Sequence, residues 1–421
     1  MKYENEYIKI LEHELIPVNG CTEPVSIAFA ACLAKKYLEE NPTSVEVIAS
    51  RSIIKNVKAV VVPNTNGLRG VKAAVAIGIV GGDSDKHLLC ISEVSKDKIQ
   101  ECKDFLNNTP ININMSESKL IFDIYIKLIG EKNTVEVRIA DNHDNVVLIK
   151  KNEEILFEKE IVGIEKVDLT DKSILTVENI LEFVNTVDIE KVRPIIQKQI
   201  DCNMEIAKEG LKNSYGANIG KTLLSINDNS LITKAKAYAA AGSDARMSGC
   251  NMPVVINSGS GNQGMTCTIP VVIYADELKV SPEAKIRAVL LSNLLTLHVK
   301  EGIGLLSAYC GAIAAGCCAG AAIAYLYGHG IEGVSETLVN SIAISSGIIC
   351  DGAKSSCAAK IALAVESGIF GYHMYINGNN FKNGEGIVNK GVETTIKNVG
   401  KLASRGMVET DKQIVNIMLE K

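Results

Sequence analysis

Twelve cysteines are the residues of this 421-residue chain with the most chemical potential. A cysteine at the N-terminal end of a helix is biased toward the thiolate, because the helix dipole and free backbone N–H groups stabilise negative charge. Cys21 fits that position, since Thr22 can cap a helix and Pro24 suits its first turn. Cys350 fits it as well, with Asp351 as the predicted cap. Anionic sulfur is what iron, zinc and nucleophilic catalysis all require.

The spacing of the C-terminal cysteines narrows the choice of ligands. Cys310 and Cys317 are seven residues apart, as are Cys350 and Cys357, which is about 10 Å on an unbroken helix and too far for one compact cluster. We therefore predict at most one ligand from each pair, and Cys310, which a glycine follows, and Cys350 are the more accessible candidates. Cys317, Cys318 and Cys357 are predicted to be core residues. No C-x-x-C motif occurs, which removes the strongest zinc and thioredoxin signals.

A glycine-rich loop at residues 259–264 matches G-x-G-x-x-G. Only six residues separate Gly264 from an apolar run at Val271 that resembles a strand, too few for the helix of a dinucleotide-binding crossover. We predict instead that exposed backbone N–H groups and short polar side chains hold a small carboxylate, the alternative being a simple turn. These side chains are Ser258, Ser260, Asn262 and Gln263.

Composition excludes several classes of protein. The chain has 44 Lys and Arg against 49 Asp and Glu, so no basic excess exists to bind nucleic acid. With 47% hydrophobic residues, no Trp and 34 Gly, it should fold around closely packed aliphatic helices. The first twenty residues lack the apolar core of a signal peptide. We therefore expect a reducing, cytoplasmic location without disulfides.

Residues 305–328 carry no charge over 24 positions, which is long enough to cross a membrane. The segment consists mostly of Ala, Gly, Ser and Cys, and no second span with flanking Lys/Arg asymmetry accompanies it. We expect no membrane interaction and interpret the segment as the buried centre of a large helical domain. A non-enzymatic membrane helix bundle is the alternative.

Hydrophobic periodicity predicts an α+β fold. Residues 1–40 are helical with a break at Pro17, and helical periodicity returns beyond Ser173. Residues 45–165 alternate in the manner of strands, apart from a helical stretch at 97–108. The apolar runs at 74–80 and 252–275 are predicted to be β-like. We expect a mainly helical catalytic domain built from both chain ends (1–44 and 168–421), with an inserted α/β domain (45–167).

Five separated segments resemble the L-cysteine desulfidase family, related to the alpha chain of iron-sulfur L-serine dehydratases and to UPF0597-like proteins. They are GCTEP (20–24), SDARM (243–247), NSGSGNQG (257–264), LSAYCG (306–311) and CDGAK (350–354). They occur in order across nearly the whole chain. The resemblance implies a 4Fe-4S cluster held by three cysteines with one iron open, carried here by Cys21, Cys310 and Cys350.

The resemblance also implies the reaction, a β-elimination that converts L-cysteine and water to pyruvate, ammonia and hydrogen sulfide without pyridoxal phosphate (PLP). An open iron is a Lewis acid that can bind the substrate's sulfur, while the loop at 258–262 holds its carboxylate. A carbon-sulfur lyase of this kind would serve cysteine catabolism and be oxygen-sensitive, because an exposed iron is open to oxidants.

The general base is predicted from residues near the cysteines. Lys300 is ten residues before Cys310, and burial there would lower the pKa of its amine. Its alternative is a surface lysine paired with Glu301. Glu23, beside the N-terminal cysteine, is the second candidate for the base, or else complements the helix dipole. His298 is a third candidate, or else a structural histidine.

Further substrate contacts could come from Asn64 and Arg69, which otherwise belong to a turn. Two alternatives to the desulfidase stay open: an iron-sulfur L-serine dehydratase, because an open iron also binds hydroxyl, and a non-enzymatic redox-sensing cluster protein. The expected partner is L-cysteine. A Gly/Ala-rich core with close helix packing is also compatible with a homodimer.

Overall fold

The computed structural model describes residues 3–20, 22–118, 120–161, 170–226, 230–304 and 307–419. The fold is α+β and mainly helical, as predicted. From the N-terminus the elements are α1 (Glu4–Glu14), β1 (Pro17–Asn19), α2 (Thr22–Leu38), β2 (Ser44–Ala49), α3 (Arg51–Val57), α4 (Gly70–Gly81), α5 (Lys96–Asn108), β3 (Ile111–Met115), β4 (Asp123–Ile129), β5 (Thr134–Ala140), β6 (Val146–Lys151) and β7 (Glu154–Glu158).

The second part of the chain is helical apart from one short strand. Its elements are α6 (Val177–Thr186), α7 (Ile189–Lys212), α8 (Ile219–Ser225), α9 (Leu231–Met247), β8 (Pro253–Val255), α10 (Gly261–Glu277), α11 (Pro282–Ile303), α12 (Gly311–Leu326), α13 (Ile331–Ser345), α14 (Ser356–Ile376), α15 (Val392–Lys401) and α16 (Val408–Leu419). Serine hydroxyls cap three of these helices by accepting a backbone N–H of the first turn. They are Ser230 before α9, Ser260 before α10 and Ser281 before α11.

A mixed sheet forms in the first half of the chain, with the strand order β3-β2-β4-β5-β6-β7 among the described residues. Only β2 and β3 pair in parallel; the other neighbours are antiparallel. Alternate residues of β2, β4 and β5 are buried, because successive side chains of a strand point to opposite faces. Helices α2 and α4 pack together closely, since a side chain at Gly78 would overlap the carbonyl of Ala28.

Two apolar runs that we predicted to be β-like are helical. The run 74–80 lies inside α4, and strand structure in 252–275 is limited to β8, with α10 following it. Both helices are buried on almost every side, so an apolar run lacks the periodicity that distinguishes helix from strand. Gly264 and Val271 therefore lie on one helix, and the short spacing between them does not exclude a dinucleotide site. However, β8 pairs antiparallel with β1 and is not part of a parallel crossover.

Among the described residues, the two large hydrophobic clusters support the proposed division into two domains; a third cluster is small and centres on Ala240, Ala358 and Ala362. Helix α1 packs into the core of the helical part through Tyr7, Ile10 and Leu11. Helix α2, by contrast, packs into the sheet-side core through Ile27 and Phe29. We retain the two-domain organisation as a proposal, with one refinement: this packing moves the first boundary from residue 44 to the segment between α1 and α2.

Helix α12 lies at the centre of the helical core, where residues 312–324 are all buried. It covers most of the uncharged segment predicted to be a buried centre, of which residues 305 and 306 lie outside the described residues. Within the described ranges, none of the helices combines the length and apolar character needed to cross a bilayer.

Close packing of α12 against α14 depends on glycine. A side chain at Gly320 would overlap the backbone carbonyl of Gly368, and one at Gly368 would overlap that of Gly316. We expect Gly320→Ala to lower the free energy of unfolding by about 3 kcal/mol, because the two backbones must move apart. Chemical denaturation measures this change. Gly330→Ala is the matched control, since a side chain there meets nothing within 4 Å; equal effects of the two changes would contradict the packing argument.

Candidate functional site

The structure brings Cys310 and Cys350 together through their backbones. Tyr309 and Ile349 form an antiparallel bridge. The N–H of Cys310 donates to the carbonyl of Ile348 at 3.1 Å, and the N–H of Cys350 donates to that of Ala308 at 2.6 Å. Each cysteine directly follows a bridged residue, so the pleat places both side chains on the same face of the pair.

The third predicted ligand, Cys21, lies outside the described residues, and its place beside the other two stays a prediction. Its neighbours are described. Gly20 has a left-handed backbone with φ of 65°, and a side chain there would lie 2.7 Å from the ring of Pro63. Helix α2 begins directly after Cys21, as predicted, with Pro24 in its first turn, but Thr22 is its first residue rather than its cap.

Burial and neighbouring charges set the pKa of the Cys310 thiol. Cys310 is the residue before α12, the favourable position for a thiolate, yet its side chain is buried. Loss of solvent, followed by the charges of Cys350 and Cys357, raises the pKa of the Cys310 thiol to about 12. A thiol with so high a pKa is protonated at neutral pH, so a bound cation would be needed to hold Cys310 as the thiolate.

The predicted helix start directly after Cys350 is wrong. Helix α14 begins at Ser356, and Asp351 pairs with Lys354 and Lys360 instead of capping it. The predicted separation of Cys350 and Cys357 by about 10 Å requires an unbroken helix between them, but the chain is not helical over 350–355. As a result Cys357, in the first turn of α14, is close enough to influence Cys310.

Cys357 is a neighbour of the pair that sequence reasoning missed. Its sulfur donates to the carbonyl of Gly352 at 3.5 Å, and its pKa is raised mainly by burial. Within the described ranges, no group of three His, Cys, Asp or Glu residues is arranged to hold a metal ion. Cys310 and Cys350 are the two predicted cluster ligands that the structure describes. Their thiols lie on one face of the bridge, which fits ligation by three cysteines with Cys21 as the third.

Lys300 is a buried amine close to the cysteine pair. Only 4% of the residue is exposed, so the alternative of a surface lysine is wrong. Its amine, in the last turn of α11, donates to the carbonyl of Gly304. Burial lowers the pKa of Lys300 to about 8; the charges of Cys350 and Cys310 oppose this shift and the charge of Lys55 adds to it. These couplings place the amine within electrostatic reach of both thiols.

The other candidates for the base have protein partners. The Nε2 of His298 is 2.8 Å from a carboxylate oxygen of Glu393, while its Nδ1 is buried without a partner. Glu23, in the first turn of α2, accepts a hydrogen bond from the amide of Asn56 at 3.1 Å. Both side chains are therefore held in place by neighbours, and their catalytic roles stay predictions.

Asn64 and Arg69 lie at the turn before α4. The amide of Asn64 donates to the carbonyls of Ile91 at 2.9 Å and Ser92 at 3.3 Å, and its φ of 58° is left-handed. Arg69 is exposed, and its backbone forms a bridge with Val61. Asn64 therefore stabilises the turn, and substrate contact by either side chain stays a prediction.

The glycine-rich loop lies beside the cysteine pair. Ser258 and Gly259 have left-handed backbones, so the chain turns sharply before Ser260 caps α10. The side chain of Gln263 lies against the first residue of α12, where a side chain at Gly311 would be 2.7 Å from the Gln263 amide carbon. Since Gly311 follows Cys310, the loop and the thiols are neighbours. The Oε1 of Gln263 is buried and has no hydrogen-bond partner among the described residues.

Lys55 of α3 joins the sheet side of the protein to both cysteine segments. Its side chain is 1% exposed, forms an ion pair with Asp411 of α16 and donates to the carbonyl of Ser307 at 3.3 Å. The backbone carbonyl of Lys55 lies where a side chain of Gly352 would be, so the loop after Cys350 rests on α3.

We expect Asp411→Asn to lower the free energy of unfolding by about 3 kcal/mol, because the change leaves the buried Lys55 ammonium without a counter-charge. Denaturant titration at neutral pH measures the loss. Glu101→Gln is the matched control, because it breaks an exposed pair with Lys98 that contributes at most about 1 kcal/mol. A loss no larger than that of the control would contradict the buried-pair argument.

Comparison with known proteins identifies the family. The model of the serine dehydratase alpha chain family matches residues 85–416. A UPF0597 protein of Desulfitobacterium hafniense is 51% identical over 99% of this chain and 97% of its own length. UPF0597 proteins of Finegoldia magna and Lachnoclostridium phytofermentans are 46% and 45% identical, over at least 98% of each chain. This chain therefore belongs to the UPF0597 proteins and to the serine dehydratase alpha chain family.

Proposed function

We propose that this protein is an iron-sulfur L-cysteine desulfidase, which converts L-cysteine and water to pyruvate, ammonia and sulfide. Its family supports a lyase-type enzyme of the iron-sulfur dehydratase kind. The observation that carries the proposal is a buried amine, Lys300, whose pKa is influenced by the charges of two cysteines that share one face of a backbone bridge. A base beside a paired-thiol site is what an iron-assisted elimination requires.

Cys310 and Cys350, together with Cys21, would hold the 4Fe-4S cluster. When bound, the cluster supplies a Lewis-acidic iron for the sulfur of the substrate. The protein around it contributes burial: Cys310 and Lys300 are both less than one tenth exposed. Exclusion of water strengthens the electrostatic interactions within the site and protects reactive groups from solvent.

The protein's own groups carry the elimination. The neutral amine of Lys300 takes the proton from the α-carbon. The electron pair of that C–H bond forms a carbon–carbon double bond as the C–S bond breaks, and the sulfur leaves as sulfide. The resulting enamine tautomerises to an imine, which takes up one water to give pyruvate and ammonia. Residues 258–263, the turn before α10 and the first residues of that helix, orient the substrate by holding its carboxylate.

A second candidate is an L-serine dehydratase, which the description of the matching family favours. To distinguish the desulfidase from the dehydratase, the protein is purified anaerobically and assayed for iron and acid-labile sulfide. Its activity is then measured with L-cysteine and with L-serine. We expect equal amounts of sulfide and pyruvate from L-cysteine, and a lower kcat/KM for pyruvate formation from L-serine. Pyruvate from serine without sulfide from cysteine would establish the dehydratase instead.

The remaining alternative is a redox-sensing cluster protein. It predicts full cluster loading without turnover of either amino acid. The same samples therefore test it, since iron and sulfide analysis precedes the assays. Loaded protein that turns over neither substrate would overturn the proposed activity.

A further inference from the structure

Arg246 has a buried guanidinium and no role in the proposed elimination. It lies in the last turn of α9 and is only 5% exposed. Within the part of the chain that the structure describes, it forms no ion pair with a carboxylate, and its Nε is buried without a hydrogen-bond partner. An arginine is almost never buried in this way unless a charge offsets it, because removing the cation from water is costly.

The nearby carboxylate of Asp244 is not the counter-charge of Arg246. Asp244, two residues earlier on α9, accepts the backbone N–H of Gly220 at 3.0 Å and so anchors the start of α8. Burial raises the pKa of Asp244 to about 6, the backbone N–H groups around it opposing that shift. Lys55, which is also buried, differs from Arg246 because Asp411 supplies its counter-charge.

The guanidinium faces the first turn of α10. A side chain at Gly261 would lie 2.5 Å from the Nε of Arg246, so a glycine is required for this approach. The Nη1 of Arg246 donates to the Oδ1 of Asn262 at 3.4 Å. The hydroxyl of Ser243 donates to the same oxygen at 3.3 Å, and the amide of Asn262 reaches the sulfur of Met247 at 3.7 Å. The Asn262 side chain is thereby held in one orientation.

Two independent features of this region favour an anion. Helix α10 has 17 residues, and the positive end of its dipole lies at Gly261. A guanidinium adds a full positive charge and a planar set of donors that matches a carboxylate. The next residue of the turn, Gln263, packs against Gly311 and so links the region to Cys310.

We propose that Arg246 and the first turn of α10 bind the carboxylate of the amino-acid substrate. This inference rests on the proposed function in one respect, that the substrate is an amino acid. It makes Arg246 a binding residue that selects free α-amino acids and rejects amines and amides. Asn262 orients the guanidinium through its hydrogen bond, and Gly261, which has no side chain, leaves space for the guanidinium.

The test uses full-length, cluster-loaded protein and an unreactive probe, L-alanine, with L-alaninamide as the uncharged comparison. Titration calorimetry should show that the wild type binds L-alanine at least about 10-fold more tightly than the amide. Arg246→Gln should weaken L-alanine binding about 10- to 100-fold and raise KM for L-cysteine more than it lowers kcat. Arg287→Gln, which removes an arginine paired with Glu283, should leave binding unchanged.

Asn262→Asp provides a second variant in case Arg246→Gln does not fold. It places a carboxylate beside the guanidinium, so we expect a higher Tm and no binding of L-alanine. Wild-type affinity for L-alanine in either folded variant, or equal affinity of the wild type for L-alanine and its amide, would overturn the inference. Selective L-alanine binding without sulfide release from L-cysteine would instead overturn the desulfidase and support the carboxylate site.

Discussion

Alanine at position 310 or 350 is expected to remove essentially all iron from anaerobically purified protein. The two thiols share one face of the Tyr309–Ile349 bridge, and a cluster that loses one of three cysteine ligands is not retained. Iron and acid-labile sulfide should fall from about four of each per chain toward zero. The broad absorption near about 400 nm that is typical of such clusters should disappear with them. Cys21→Ala should behave in the same way.

The matched controls are cysteines buried elsewhere. Cys32 lies within α2 and Cys202 within α7, and burial raises the pKa of each thiol. Alanine at either position should leave the iron content unchanged. Cys357→Ala is the sharper comparison, because its thiol lies near Cys310, and it too should retain iron. Iron loss in Cys357→Ala combined with retention in Cys350→Ala would exchange the roles of these two cysteines.

Lys300→Met is expected to lower kcat for sulfide release by about 10²- to 10⁴-fold, the contribution typical of a general base. Methionine fills much of the same buried volume without an amine, so the fold and the iron content should survive. The measurement is anaerobic sulfide release by protein whose iron content matches the wild type. Glu23→Gln is the comparison for the second candidate base and should have a small effect. The opposite ranking of the two variants would assign the base to Glu23.

The pH profile provides a separate test of the lysine. A general base acts in its neutral form, and burial lowers the pKa of Lys300 to about 8. Activity of the wild type should therefore rise with pH through about 8 and level off above it, since protonation removes the base at lower pH. The residual activity of Lys300→Met should lack this rise. An unchanged profile in the variant would mean that another group controls the reaction.

Local patterns predicted much of the fold correctly. Alternation identified β2, β4, β5 and β6, because one face of the sheet is buried and the other is partly solvated. The break at Pro17 and the helix start predicted after Cys21 separated α1 from α2. The same approach mistook α4 and α10 for strand-like segments, since helices buried on almost every side lack a polar face to set the period.

By itself, the sequence determined the residue types of the candidate site: the cysteines, a lysine before Cys310 and a polar glycine-rich loop. Only the tertiary structure decided which of these groups meet. The bridge that pairs the segments of Cys310 and Cys350 joins positions forty residues apart. The burial of Lys300, and the lack of a counter-charge for Arg246 among the residues that the structure describes, likewise depend on helices distant in the chain. Contacts of this kind leave no periodic trace in a sequence, because they arise from packing between elements rather than within them.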